Sequence, residues 1–151
     1  MSKHEDADLI LKLYELRREA VMRDARNWFF TFNPTGVQDF IDMMMSEKNA
    51  YFRQVVSYWE MAATLVNHGA IDEQMFTEAN GEHLFVYSKI EPFIPALMQA
   101  FQLTEYLPNL EKLIKRTPNS EERLNQIRER MKMIAAMRAE QAAKASAAAG
   151  D

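Results

Sequence analysis

Arg53, Glu60 and His68 recur about two helical turns apart along one polar strip of the segment Asn49–Gly69. A glutamate on such a strip, covered by another helix, would lose its water. Desolvation raises a carboxyl pKa toward the range in which general acids work. The same strip left in water, or tied into a structural ion-pair network, does no chemistry, and that is the simpler reading. Arg17 and Asp24, seven residues apart on or beside the apolar stripe of the preceding segment, are candidates for a similar buried network. The plainer alternative is that their stems lie along the stripe while their heads reach water. Tyr58 and Trp59, with Tyr51 and Phe52, could border a ligand pocket, since bundles host such pockets between helices. Aromatics at helical spacing are more often core, although a buried tyrosine hydroxyl needs a partner.

Other chemistries find no footing. There is no cysteine, which excludes disulfides, zinc knuckles and thiol nucleophiles. The histidines are His4, His68 and His83, and His68 with Asp72 straddles a helix end and a glycine instead of sharing one face. A di-iron bundle would need two Glu-x-x-His segments, which are absent. No elbow, base or glycine-rich turn surrounds a serine, threonine or lysine, and four glycines leave no phosphate loop or dinucleotide fingerprint. Lys112, Lys115, Arg116, Arg123, Arg128, Arg130, Lys132 and Arg138 are interleaved with glutamates, which suits a solvated helix better than a nucleic-acid surface. No catalytic residue, metal ligand or cofactor is expected, and the chain reads as a non-enzyme.

The element that must position the rest is a helix over 49–69. Its polar residues, Gln54 excepted, share one narrow strip, and Tyr51, Phe52, Val55, Val56, Tyr58, Trp59, Met61, Ala62, Ala63, Leu65 and Val66 cover the remaining arc. So wide an apolar arc must be wrapped on several sides. Around this central helix the pattern predicts an all-α, irregular bundle of five or six helices. A first helix over 8–31 ends at Asn33-Pro34. A capping box, Thr35 with Gln38, opens a short second helix with Val37, Phe40, Ile41 and Met44 on its inner face. Gly69 is placed to end the central helix in the left-handed region, and Asp72 to cap a short turn closed by Asn80-Gly81.

Over 82–102 the apolar spacing survives across Pro92 and Pro95, which predicts one kinked helix. A further helix covers 104–116. From a second capping box, Asn119 with Glu122, a long helix runs toward 148 with Leu124, Ile127, Met131 and Ile134 as a short heptad seam. Residues 1–138 then form one helical domain, and 139–151 an alanine-rich tail, helical or frayed.

The 151 residues, 48% apolar and 11% aromatic, suit one globular domain. Net charge is −4, unevenly distributed. Residues 1–110 hold nine basic and sixteen acidic groups, net −7, and residues 111–151 nine basic and six acidic, net +3. Two surfaces that attract each other within or between subunits explain this more simply than a nucleic-acid arm. The polar N-terminus and the lack of a long apolar run predict a cytoplasmic protein without a membrane span.

The segments LRREAVMRDARNWFF, NAYFRQVVSYWEMAATLVNHGAID and YSKIEPFIPAL resemble a family of small bacterial helical proteins of unknown function, over roughly residues 9–130. The resemblance implies an all-helical fold and supplies no activity, cofactor or catalytic residue. The expected function is a cytoplasmic interaction module that self-associates as a dimer. Its candidate surfaces are the methionine cluster Met43, Met44 and Met45, which suits an adaptable interface, and the seam Leu124, Ile127, Met131 and Ile134. The alternative is a small-molecule-binding regulator with a pocket between the central helix and the kinked helix.

Overall fold

The computed structural model describes residues 2–150, and it is all-α. Among those residues nine α-helices and one 3-10 turn follow in the order α1 Lys3–Arg18, α2 Ala20–Thr31, α3 Val37–Met44, α4 Asn49–Asn67, α5 Glu73–Ala79, α6 Glu82–Ile90, the 3-10 turn Glu91–Phe93, α7 Ile94–Phe101, α8 Pro108–Arg116 and α9 Ser120–Ala149. The central helix is where its pattern predicts. Phe52, Val55, Val56, Tyr58, Trp59, Ala62, Ala63 and Val66 of α4 are buried, with α2 and α8 as its principal neighbours. Its end is a Schellman motif: Gly69 sits at φ +79° and donates to the Val66 carbonyl, while Ala70 donates to Leu65. Asp72 caps α5 by accepting from the Met75 N–H at 2.9 Å.

Four boundaries differ from the pattern. The helix expected over 8–31 is two helices, because Glu19 adopts φ −57°, ψ 144° and its own carboxylate accepts from the Met22 N–H at 3.0 Å. The backbone N–H groups of Val21 and Met22 hold the Glu19 carboxyl below the usual glutamate range. The Thr35–Gln38 capping box does not form. Asp39 instead accepts from the Thr35 N–H and hydroxyl at 2.7 and 2.9 Å, which lowers its pKa, while Gln38 donates to Asp42. The helix expected from 104 begins at Pro108, after Leu107 in the left-handed region at φ 48°. Asn119, also left-handed at φ 56°, makes no side-chain cap for α9.

The run 82–101 stays helical across both prolines and tightens into the 3-10 turn between them. The reason is a matter of donors. Pro95 cannot serve the Glu91 carbonyl, which accepts from the Ile94 N–H one residue earlier. Pro92 likewise leaves the Ser88 carbonyl without its helical donor, and Arg128 Nε of α9 supplies one at 2.9 Å. Arg128 also reaches Glu91 at 3.2 Å and Asn125 at 2.9 Å, so the kink and α9 are fastened together.

Candidate functional site

Glu60 is covered, as the acid–base reading required, but by the start of a helix. Its Oε1 accepts from the Asn109 N–H at 2.8 Å and side-chain amide at 3.1 Å, and its Oε2 from the Leu110 N–H at 2.8 Å. These are first-turn donors of α8, which have no partner within their own helix. The positive end of α8 faces the carboxylate, so charge and hydrogen bonding act together. Two turns further along α4, Asn67 donates to the Asn109 carbonyl at 3.0 Å and accepts from Arg116 at 2.6 Å, and Arg116 pairs with Glu73 at 2.7 Å. The strip on α4 therefore divides. Glu60 and Asn67 lock α8 in place, while Arg53 and His68 lie exposed and take no part.

Arg17 and Asp24 part company in the same way. Arg17 approaches Glu82 at 3.5 Å, and Arg26 grips the same carboxylate with Nε at 3.0 and 3.1 Å. Arg26 also donates to the Arg17 carbonyl, so the broken α1–α2 junction is pinned to the start of α6. Asp24 is exposed and lies outside this cluster. Arg26 and Glu82 carry the network that the pair was expected to form. A break at Glu19, which brings Arg17 and Arg26 to one point, is what the unbroken-helix pattern missed.

Tyr58 and Trp59 are core. The Tyr58 hydroxyl donates to the Leu13 carbonyl, and burial pushes its pKa up to about 12. Trp59 lies edge-on to Tyr58 at 4.8 Å between centroids and tilts against His83 at 5.9 Å. Phe76 closes the other side of His83 at 5.3 Å. His83 is 1% exposed, and its two nitrogens, like Trp59 Nε1, make no hydrogen bond among the described residues. Burial first, and Arg123 second, lower its pKa to about 4. The imidazole is thus a neutral aromatic filler. Its position on an otherwise apolar turn of α6, HLFVY, was the available signal.

Lys89 was not legible as a site. It lies buried on α6, and its Nζ donates to the carbonyls of Phe29, Phe30 and Phe32 at 2.8, 3.1 and 2.8 Å. The ring faces of Phe29 and Phe85 stand 5.3 and 4.8 Å away. The helical donor for Phe30 would be residue 34, a proline, so the ammonium satisfies the last carbonyls of α2. Burial, reinforced by Arg138, lowers its pKa to about 8 against the pull of three carbonyls and two ring faces. A cavity of about 480 Å³ lies alongside, between the kinked segment (Ser88, Pro92, Phe93) and α9 (Asn125, Arg128, Met131). It is α9, not the central helix, that closes this pocket.

The expected interface residues are largely spent inside the fold. Met43 is buried, Met44 half-buried, and Met45, at 78% exposure, is the one methionine of the cluster facing water. Leu124 belongs to the core, and Ile127 and Met131 pack against it as α9 crosses α6, with Ile134 half-buried beyond them. That seam is intramolecular because α6 and α8 present the complementary apolar faces. Past it, every described side chain from 135 to 149 is exposed.

Among the described residues no helix is long and apolar enough to cross a membrane, and no group of three or more acidic or histidine side chains could hold a metal ion. Comparison with curated proteins and with solved structures finds no match. Residues 3–117, which carry α1 to α8 and the Glu60, Glu82 and Lys89 clusters, match the family described as a domain of unknown function, DUF4760, and the chain belongs to that family.

Proposed function

We propose that the chain is a non-enzymatic, cytoplasmic helical interaction module that self-associates through α9 as a homodimer. The observation behind this reading is the second half of α9. From 135 to 149 the helix runs on for about 22 Å with all its side chains in water. Nine of those fifteen residues are alanine, which favour helix locally but bury little, and an isolated helix of this length is marginal in water. A second copy would give it a surface to pack on. Of the methionine cluster only Met45, just past the end of α3, is free to contribute, so the association rests on α9, which begins beyond the stretch matched to the family. The non-enzymatic part is supported by the employment of the charged groups: Glu60 and Lys89 satisfy helix ends, Glu82 holds Arg26, and Arg128 serves the Ser88 carbonyl freed by Pro92.

The test is the solution mass of the full chain beside a chain ending at Met137. A dimer that becomes a monomer on truncation supports the reading. Two dimers move the interface off the tail, and two monomers discard self-association.

A small-molecule-binding regulator is the second reading, favoured by the cavity beside Lys89, whose volume of about 480 Å³ is that of a ligand pocket. Native mass spectra of the same samples would reveal a retained ligand.

A further inference from the structure

The outer face of α9 carries a second seam, distinct from the one that packs on α6. Gln126, Arg130, Met133, Met137, Glu140 and Lys144 follow at alternating spacings of four and three residues, and all six are exposed. Such spacing keeps side chains on one stripe of a helix, about a third of a turn round from Leu124, Ile127, Met131 and Ile134. Its middle is apolar, with Met133 and Met137 at 58% and 56% exposure, and its flanks are charged. From these positions we infer that α9 pairs with α9 of a second copy in antiparallel orientation, about a two-fold axis level with residue 135. This rests on the self-association proposed above and specifies its geometry.

The order of charges selects the direction. About that axis Met133 of one copy meets Met137 of the other, Arg130 meets Glu140, and Gln126 meets Lys144. Each contact occurs twice, as an isologous interface requires. A parallel pairing would set Arg130 against Arg130, Glu140 against Glu140 and Lys144 against Lys144, which repels at every charged position of the seam. Glu140 already holds Lys144 of its own helix through Oε1 at 3.3 Å and keeps its second oxygen for the partner's arginine. In this arrangement the arm 135–149 of each copy lies over the outer face of the other copy's α9 where that helix is anchored by Arg128 and Leu124. The unsupported half of one helix is braced by the supported half of the other.

The charge pair provides the experiment, and both positions are exposed, so the fold is not at risk. Arg130→Glu and Glu140→Arg, made singly, place like charges together twice per dimer and are expected to weaken dimerisation about tenfold or more by sedimentation equilibrium. The double variant R130E/E140R restores opposite charges and returns the dimer to near wild-type strength. Because the chain lacks cysteine, a mixture of Arg130→Cys and Glu140→Cys proteins should give a disulfide-linked heterodimer on oxidation. Neither protein alone should do so, since like positions lie about 15 Å apart along the axis. A full chain that is a dimer and loses it on truncation at Met137, yet shows no rescue and no mixed disulfide, overturns this geometry and leaves self-association standing. A monomeric full chain overturns both.

Discussion

His83 shows how one residue type can sit in a core without doing chemistry. Between Trp59 and Phe76 it has no solvent and no counter-charge, so the folded protein disfavours its protonated form. Its ordinary pKa is 6.5, and in the fold it is about 4. Above pH 6.5 neither the folded nor the unfolded chain is protonated there, and the group has no effect on stability. Between 6.5 and 4 the unfolded chain binds more protons, so stability falls as pH falls, by about 3 kcal/mol once pH is below 4. Urea unfolding of the wild type and of His83→Leu at pH 7.5 and pH 4.5 separates this contribution from the carboxylates common to both. The stability advantage of the wild type over the variant should shrink by about 2.5 kcal/mol on acidification. An advantage that does not change with pH would mean that His83 titrates as it does in water.

At the scale of the helix, tertiary side chains replace local caps. Glu60 closes the start of α8 from 49 residues away, where Leu107 offers no side-chain cap of its own. Glu60→Ala should therefore cost about 2–3 kcal/mol, since it strips a charged acceptor from two backbone donors and the Asn109 amide. Glu60→Gln keeps one acceptor oxygen but presents an amide to the other N–H, and should recover only part of the loss. Chemical denaturation gives the cost, and faster amide exchange at Asn109 and Leu110 locates it. A loss of a few tenths of a kcal/mol would make the contact incidental. The same substitution of distant groups for local ones explains what the sequence could and could not reveal. The apolar arc of α4, the left-handed Gly69, the Asp72 cap and the register across Pro92 and Pro95 are written in spacings of a few residues, and each stands as expected. The break at Glu19 rests on a local cap that the continuous apolar stripe conceals. The late start of α8 and the role of Lys89 depend instead on groups brought together across the fold, such as Glu60 and the carbonyls of Phe29, Phe30 and Phe32. No local pattern encodes them.

On the scale of the whole molecule, the chain is a compact body with an arm. The acidic body and basic C-terminal part attract each other within one copy, through Arg116 with Glu73 and Arg128 with Glu91. The first of these holds α8, and the second, with Leu124 in the core, anchors the first half of α9 and nothing beyond it. Removing residues 138–151 deletes no buried side chain among those described, so the folded body should keep its own stability. Association stabilises by mass action, because a partner that binds only the folded form pulls the equilibrium toward it. Full-length protein should therefore melt at a temperature that rises with protein concentration, whereas the chain ending at Met137 should melt at one temperature throughout. At high dilution the two curves should converge. A truncated chain that melts lower even at high dilution would show that the arm supports its own body, folding back where α9 now runs free. A concentration-independent full chain would leave the arm without a partner copy.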